Sequence, residues 1–524
     1  MSDVRDFLLE LGTEELPPKA LSTLSEALLK GVEKGLTEAE LTFSTSKAYA
    51  SPRRLAVVIT GLQTHQADRN IEKRGPAVTA AFDEEGNPTK ALQGFARSCG
   101  VDVDALETLE TDKGAWLVYR EKQTGQAATE LLPEIVKQSL AALPIPKRMR
   151  WGSLSEEFVR PVHWLILMLG DENIPASLLG VQSNQLSYGH RFHHPQAIRI
   201  SSPQTYAPQL LSEGHVMVDF AERREAIRGQ VNELASQLGG QAIIDDELLN
   251  EVTGLVEWPV ALSGEFEKRF LELPSQALIS SMQGHQKYFP VEDATGKLLP
   301  FFITVCNIES RDPAQVIAGN ERVILPRLSD AAFFWDTDRK RPLADRQEQL
   351  KTIVFQNQLG TVFDKSQRVA KLAGFIAGKI DGDMALAERS AMLAKCDLVT
   401  EMVGEFPELQ GIMGSFYARL DGEQEELALA MDEQYLPRFA GDALPQGKTG
   451  QALSLAEKID TLCGLFGIGQ PPSGAKDPFA LRRAALGVLR IIIENNLDLD
   501  LAELLQQSVQ SYDKQLTETD IVAP

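Results

Sequence analysis

The feature that most constrains the fold of this chain is a change of hydrophobic pattern near Arg339. Before Arg339, strand-like runs such as RDFLLEL at Arg5–Leu11 are mixed with helical stretches. After it, strand signals largely stop, and apolar residues recur at the three- and four-residue spacing of helices. The pattern predicts a multidomain α+β protein, with an α/β and β-rich region at residues 1–338 followed by an all-helical region at residues 339–524.

The region before Arg339 shows several individual elements. A helix with one apolar face is predicted after Leu21, and a polar helical stretch between Phe220 and Leu262. Turn residues are frequent from Lys73 to Gly125, so this stretch is interpreted as rich in turns. The remaining predicted elements are strands at Phe43–Ala50, Leu55–Thr60 and Pro161–Leu169, a helix at Thr129–Leu143, and a hairpin of Tyr288–Val291 with Leu298–Val305.

One predicted helix of the second region, Asp477–Asn495, carries unusual charges. Asp477 is a good N-cap and Pro478 a good first residue, so we expect the helix to begin there, with one face in the core. It also carries three arginines, Arg482, Arg483 and Arg490. They are expected either to pair with acids of neighbouring helices or to contact a phosphate or a partner chain, and the sequence leaves both open. The other predicted helices are Phe363–Ile380, Met384–Gly404, Glu423–Gln434, Ser454–Phe466 and Asp500–Tyr512.

Composition limits the partners of the chain. With 74 acidic and 52 basic residues the net charge is −22, which argues against non-specific nucleic-acid binding by the whole surface and against a DNA partner. No apolar run is long enough for a signal peptide or a membrane span, so a cytoplasmic location without membrane contact is expected. The four cysteines are far apart without a CxxC pair, so neither a disulfide framework nor a zinc ribbon is indicated.

Metal and nucleotide signatures are weak. All seven histidines lie at or before His285, which excludes a histidine-ligated metal in the helical region. The run GHRFHH at Gly189–His194 has no carboxylate or cysteine at ligand spacing, so a phosphate-contacting loop is favoured over a metal. GIGQPPSGAKDP at Gly467–Pro478 does not have the spacing of a phosphate-binding loop. We therefore expect no catalytic residues, no metal and no cofactor in this chain.

Basic residues nevertheless form local islands. Such islands, with nearby aromatic residues, suit structured RNA, because cations bind phosphates and aromatic rings stack on exposed bases. Each island alone could equally be a solvated turn or a donor to an internal ion pair. Together they favour RNA contact, and the candidate residues are Arg53, Arg54, Lys147, Arg148, Arg150, Arg160, His190 and Arg191.

Ten ordered blocks along the whole chain resemble the β subunit of bacterial glycyl-tRNA synthetase. They are FLLELGTEELPPKAL at Phe7–Leu21, SPRRLAV at Ser51–Val57, KRGP at Lys73–Pro76, IPKRMRWG at Ile145–Gly152, FVRPVHW at Phe158–Trp164, GHRF at Gly189–Phe192, HQKYFPV at His285–Val291, GNERV at Gly319–Val323, EFPELQGIMG at Glu405–Gly414 and DPFALRRAALGVLRI at Asp477–Ile491.

The resemblance implies a non-catalytic, tRNA-binding subunit of an α₂β₂ class II aminoacyl-tRNA synthetase. The α subunit is then expected to hold ATP, Mg²⁺ and glycine, while the β subunit grips tRNA(Gly). The amino-terminal region is similar to the body and tail of archaeal CCA-adding enzymes. The resemblance also implies a C-terminal anticodon-binding domain, for which this sequence has no residues after Pro524, so we expect that domain to be absent.

The helical region looks like the HD-phosphohydrolase fold, with a departure at its metal site. Lys395-Cys396-Asp397 stands where a His-Asp pair is expected, and Glu457 lies near the place of a late aspartate. We therefore expect a degenerate hydrolase domain kept for binding. Two alternatives remain open: a metal-dependent HD-type phosphohydrolase, and a pure assembly scaffold for the α subunit.

Overall fold

The computed structural model describes residues 3–83, 86–111, 114–512 and 516. The chain forms two compact units from alternating segments, and both helices and sheets are present, which confirms the predicted α+β class. No described helix is long and apolar enough to cross a membrane. Unit 1 comprises Met1–Glu233, Ile244–Ala261 and Val305–Arg311, and unit 2 comprises Leu234–Ile243, Leu262–Thr304 and Asp312–Pro524.

Unit 1 contains the following elements. Its strands are β1 Val4–Thr13, β2 Thr45–Ser51, β3 Arg54–Gln63, β4 Arg69–Ala77, β5 Glu107–Thr111, β6 Gly114–Gln123, β7 Val162–Leu169, β8 Glu172–Asn173, β9 Ser177–Leu178, β10 Val181–Asn184, β11 Leu186–Tyr188 and β12 Ala197–Arg199. Its helices are α1 Leu21–Glu38, α2 Val78–Ala81, α3 Lys90–Cys99, α4 Ala128–Ala141, α5 Tyr206–Ser212, α6 Phe220–Gln237, whose end belongs to unit 2, and α7 Asp246–Thr253.

The first strand, β1, is the centre of the main sheet of unit 1. It pairs antiparallel with β3 and β7, so that Leu9 lies opposite both Val57 and Leu167. The strand order is β2-β3-β1-β7-β10-β9, with β10 parallel to β7. The strands predicted at Phe43–Ala50, Leu55–Thr60 and Pro161–Leu169 are thereby confirmed, with ends shifted by a few residues.

Both faces of this sheet are covered, which explains why β1 and β7 are apolar almost throughout. Helices α1 and α4 pack on one face, and α5 packs on the other, where Tyr206 is fully buried. Gly35 of α1 lets α4 approach, because a Cβ at this position would lie 2.5 Å from Cγ2 of Ile135. The loops at the ends of β2 and β7 therefore project from a rigid, fully packed layer.

The stretch from Lys73 to Gly125 differs from the interpretation as turns. It contributes most of a three-stranded antiparallel sheet in the order β4-β6-β5, together with α2 and α3. Most residues of β4 and β5 are exposed or half-buried, so these strands lack the apolar alternation that marks a strand in sequence.

Unit 2 combines a four-stranded sheet with a helical array. Its strands are β13 Gln241–Ala242, β14 Val260–Glu265, β15 Phe289–Glu292, β16 Leu298–Cys306, β17 Val354–Gln356 and β18 Gly360–Thr361, of which the start of β14 and the end of β16 belong to unit 1. Its helices are α8 Ser275–Ser280, α9 Pro313–Asp338, α10 Val362–Lys379, α11 Met384–Leu393, α12 Glu401–Glu405, α13 Ile412–Leu420, α14 Glu425–Glu433, α15 Lys448–Gly467, α16 Leu481–Glu494 and α17 Leu501–Gln510. The β15–β16 hairpin confirms its prediction.

Two helix predictions in unit 2 were wrong in detail. Met384–Gly404 is not one helix, because α11 ends at Leu393 and a short 3-10 turn leads to α12. The helix predicted from Asp477 begins at Leu481, as α16. Asp477 lies four residues before this helix but still satisfies two backbone N–H groups of its first turn. Its carboxylate accepts hydrogen bonds from the N–H groups of Leu481 and Arg482.

Candidate nucleic-acid interface

The basic islands of unit 1 lie on three connections. Arg53 is in the turn between β2 and β3, and Arg191 is in the loop after β11. Lys147 and Arg160 are both in the long connection between α4 and β7, with Arg160 two residues before β7. The islands that are scattered in sequence therefore belong to one compact unit.

Arg54 is fully buried, so this member of the predicted set is not a surface contact. Its guanidinium Nη2 lies 3.2 Å from Oε1 of Glu257 and donates a hydrogen bond to the carbonyl of Tyr188 at 2.8 Å. Nε donates to Oγ of Ser51 at 2.9 Å, and Nη1 donates to Oγ of Ser187 at 3.2 Å. Arg54 has no exposed surface in this structure and its guanidinium is bonded to internal partners, so the structure does not support its predicted phosphate contact.

Glu257 is the buried anchor of the Arg53–Arg54 turn, and the sequence analysis missed it. Nη2 of Arg53 lies 3.1 Å from its Oε2, and the hydroxyl of Ser51 donates to its Oε1 at 2.8 Å. Burial by itself raises the pKa of Glu257, but the guanidinium groups of Arg54 and Arg53 outweigh it and hold the pKa below its usual value. A carboxylate between Val256 and Trp258, in an otherwise apolar run, is the only signal that could have revealed it.

A second buried carboxylate, Glu10 of β1, extends this network. Its Oε1 accepts hydrogen bonds from the indole N–H of Trp164 and from the hydroxyl of Ser187 at 2.6 Å. Ser187 in turn contacts Arg54, so the two acids are connected through one serine and one arginine. The ring of Trp164 fits here because Gly12 has no side chain, and a Cβ at Gly12 would lie 1.8 Å from that ring.

Arg53 and Arg191 stay near the surface, although acids partly neutralise both. Arg53 is mostly buried, and its Nη2 also donates to the carbonyl of Gly189 at 2.8 Å, which ties the turn to the next loop. Arg191 is half-exposed and lies 3.2 Å from Glu14 and 3.5 Å from Glu15. Both arginines can contact a phosphate only by sharing their charge with these carboxylates.

Arg160 and Lys147 carry charge that no described carboxylate neutralises. Arg160 donates only to backbone carbonyls, those of Glu15 at 3.0 Å and Val159 at 2.9 Å. Lys147 is exposed and forms no ion pair with any residue that the structure describes. Both line one apolar cleft of about 460 Å³, whose wall includes Ile145. The two cations therefore lie at a single site.

Arg148 and Arg150 flank this cleft in sequence. Nη2 of Arg148 donates to the carbonyl of Ala141 at 2.9 Å and has no carboxylate partner within the described residues. Arg150 is exposed, and its Nε lies 3.8 Å from Glu157, a loose surface pair that contributes little. Together with Lys147 and Arg160 they form a cationic edge that we call the cleft cluster: Lys147, Arg148, Arg150 and Arg160.

His190 shapes its loop and does not reach the surface, so the structure does not support its predicted role as a contact either. It is fully buried, and its Nδ1 accepts hydrogen bonds from the backbone N–H groups of Phe192 and His193 at 3.3 Å and 3.2 Å. Burial lowers the pKa of His190, so it is neutral at pH 7. The loop exposes Phe192 instead, with 71% of its surface accessible, as the aromatic group available for stacking.

The acids of the helical array are held by cations. Nζ of Lys365 lies 2.6 Å from Oε1 of Glu457, and Nζ of Lys395 lies 3.4 Å from the same oxygen. Burial by itself raises the pKa of Glu457, but these ammonium groups lower it to about 2. Nε of Arg368 lies 2.9 Å from Oδ1 of Asp460, a second buried pair in which burial outweighs the guanidinium and raises the pKa of the acid. Among the described residues no group of three His, Cys, Asp or Glu side chains could hold a metal ion.

The three arginines of α16 do not share one environment. Arg482 and Arg483 are exposed, and neither forms an ion pair with a described residue. Arg490 pairs with Glu494 at 2.7 Å and donates to the carbonyl of Asp442 at 3.1 Å, which is a structural role. Leucine and isoleucine side chains lie on the exposed face of the helix instead, at Leu486, Leu489 and Ile493, with 61%, 43% and 68% of their surface accessible.

Comparison with known proteins matches the chain along most of its length. A family model described as "Glycyl-tRNA synthetase beta subunit" matches residues 7–523. The chain is 61% identical over 502 residues to the glycine–tRNA ligase beta subunit of Hahella chejuensis. The aligned region covers 96% of this chain and 72% of that protein. It is 60% identical over 509 residues to the protein of the same name from Marinobacter nauticus, covering 97% of this chain and 73% of the relative.

Proposed function

The chain belongs to the family of glycyl-tRNA synthetase β subunits, and on this premise we propose that it is the tRNA-gripping subunit of an α₂β₂ glycine–tRNA ligase. The family makes it part of an aminoacyl-tRNA synthetase, which joins glycine to tRNA. A protein named as a β subunit implies a partner subunit. In this proposal the α partner holds ATP, Mg²⁺ and glycine, and the reaction takes place in the cytoplasm, where tRNA is charged for translation.

The observation that carries the tRNA-binding proposal is the pair Lys147 and Arg160 on one apolar cleft. In a chain of net charge −22, two neighbouring cations that pair with no carboxylate of the described residues are available for phosphates. The apolar wall between them suits an unstacked base or a sugar edge, as in the recognition of single-stranded RNA ends. The cleft cluster is therefore the proposed primary contact, with Arg53, Arg191 and Phe192 as a second one.

The helical region from residue 339 onward is proposed to be a degenerate HD-like domain, beginning after α9 ends at Asp338. The region before it is proposed to correspond to the body and tail. Support for degeneracy comes from Lys365 and Lys395, whose ammonium groups lie at Glu457 where a hydrolase would need a metal. No specific observation favours the alternative of an active phosphohydrolase.

The exposed apolar face of α16 is the proposed contact with the α partner. Leu486, Leu489 and Ile493 follow the i, i+3, i+7 spacing of a helix face that docks on another protein. Arg482, which is exposed and forms no ion pair with a described residue, lies on the same face and suits an acidic partner surface.

The proposed function is tested by reconstitution. Glycine attachment to tRNA(Gly) is measured with the α partner alone, with the chain, and with a Lys147→Ala/Arg160→Ala variant. The chain is expected to stimulate the reaction, and the variant is expected to raise KM for tRNA at least about tenfold, as two charge-assisted contacts are lost.

The matched control is Lys30→Ala/Lys34→Ala, which removes two exposed lysines of α1 that pair with glutamates of the same helix. It should leave KM for tRNA unchanged. Stimulation that is equal in all three proteins would contradict the assignment of the cleft, and partner binding without any tRNA affinity would instead support a pure scaffold.

A further inference from the structure

Unit 2 contains a second cleft, which the proposed function does not use. It has a volume of about 510 Å³ and lies between the start of α16, the loop that follows α14 and the turn at Glu408. This volume is in the range of pockets that hold small ligands.

Cations predominate on the walls of this cleft. Arg438, Lys458 and Arg483 line it, against one acid, Glu408, whose carboxylate already accepts a hydrogen bond from Ser280. Arg438 and Arg483 are exposed, whereas Lys458 is buried, so a small anion entering the cleft meets the two guanidinium groups first.

The three cations differ in how many of their N–H donors are available to a ligand. Lys458 is buried, and its Nζ donates to the carbonyls of Gln434 at 3.2 Å and Leu436 at 2.7 Å and to a serine hydroxyl, so it has no free N–H for a ligand. Burial also lowers its pKa to about 7, so only part of the protein carries this charge at neutral pH. Arg438 pairs with Asp432. Arg483 has no ion pair among the residues that the structure describes and keeps its five N–H donors for a ligand.

Two aromatic residues complete the walls. Phe479 has 45% of its surface accessible, directly before the helix that carries Arg483. The ring of Tyr435 forms part of the base of the cleft, and its hydroxyl is buried without a hydrogen-bond partner among the described residues. An unsatisfied buried hydroxyl is uncommon in a folded protein and is often explained by a missing water or ligand.

We propose that this cleft binds one nucleoside monophosphate unit, with the phosphate between Arg438 and Arg483 and the base against Phe479. A guanidinium binds phosphate oxygens in pairs, and an aromatic ring stacks on any base. An acidic peptide would satisfy the arginines but would leave the exposed ring unmatched, so a nucleotide is favoured. The unit could arrive as free AMP or as a nucleotide of bound RNA, because the two share this chemistry.

The test is calorimetric titration of AMP into the chain at low salt. Saturable one-to-one binding is expected, weakened at least about tenfold by Arg483→Ala, because a charged partner of the phosphate is lost. The control is Arg482→Ala, on the neighbouring exposed arginine that does not line the cleft, which should bind AMP as the parent does. Neither side chain has an internal ion-pair partner among the described residues, so both variants should fold, as thermal unfolding checks.

Further titrations separate the sources of the nucleotide. Inorganic phosphate should bind more weakly than AMP, since it lacks a base. Competition of tRNA with AMP would identify the ligand as an RNA nucleotide, and independent binding would identify it as a free nucleotide. The proposal is overturned if AMP does not bind at millimolar concentration, if phosphate binds equally well, or if Arg482→Ala weakens binding as much as Arg483→Ala.

Discussion

Replacing Glu257 with glutamine should destabilise unit 1 strongly, because it leaves the fully buried Arg54 without its counter-charge. The side chains of Arg54 and Glu257 are 0% and 2% exposed, so water cannot solvate the charge that remains when one partner is removed. Removing one partner of such a buried pair costs about 3–5 kcal/mol. Glutamine keeps the shape and can still accept one hydrogen bond, so we expect about 3 kcal/mol.

The free energy of unfolding of unit 1 is measured by urea titration with tryptophan fluorescence. Four of the five tryptophans of the chain, at positions 116, 151, 164 and 258, lie in unit 1, so a Trp335→Phe background makes the signal specific to that unit. The double variant Arg54→Met/Glu257→Met should recover part of the loss, because the fully buried guanidinium of Arg54 is no longer left without its counter-charge.

The same pair gives a pH dependence with a defined sign. The pKa of Glu257 is lower in the folded protein than its ordinary value near 4.5, so the unfolded chain takes up the proton first on acidification. The stabilisation is therefore present above about pH 4.5 and is lost as pH falls below it. A loss under about 1 kcal/mol in Glu257→Gln, or a parallel acid transition in the variant and the parent, would refute the reasoning.

Three further predictions concern unit 2 and the partner contact. Glu457→Gln should destabilise unit 2 by about 3 kcal/mol, since Lys365 and Lys395 remain buried without a carboxylate. Adding Lys365→Met should restore part of the loss, as measured by urea titration followed by circular dichroism in a chain that keeps Trp335. Burial lowers the pKa of Lys458 from 10.5 to about 7, so between these pH values the unfolded chain binds more protons than the folded protein. Raising the pH from 7 to 9 should therefore raise the unfolding temperature, and Lys458→Met should abolish this increase. Leu489→Asp should weaken co-purification with the α partner and leave the unfolding temperature unchanged, as this side chain is 43% exposed.

The parts of the fold that were predictable are those with a strong hydrophobic period. β1 and β7 are buried on both faces and appear in the sequence as nearly continuous apolar runs, so both were found. The helices α10 and α15 were found for a similar reason, because each buries a broad apolar face.

Elements with little buried surface were missed or misplaced. The long helix α9 has Pro326 in its interior and exposes Phe333, a side chain with 64% of its surface accessible. Its apolar residues therefore do not follow a clear helical spacing. The start of α16 was misplaced because Asp477 bonds to the first helical N–H groups from four and five residues away, beyond the usual N-cap spacing.

At the candidate site, composition located the cations but not their partners. Arg54 and Glu257 are 203 residues apart in sequence, and no local pattern shows that they meet. For this reason a buried arginine could not be told from an exposed one in the turn SPRRL. Lys147 and Arg160 were correctly identified as basic islands, yet their shared cleft is visible only in three dimensions.

The most direct test of the account is the salt dependence of tRNA(Gly) binding by the chain alone. Each phosphate contact contributes about 0.7–0.9 to the slope of log K against log salt. The triple variant Lys147→Ala/Arg148→Ala/Arg160→Ala should therefore bind more weakly and reduce that slope by about two to three, whereas Lys30→Ala/Lys34→Ala should not. An unchanged slope in the triple variant would contradict the proposal that the cleft cluster grips the phosphates of tRNA.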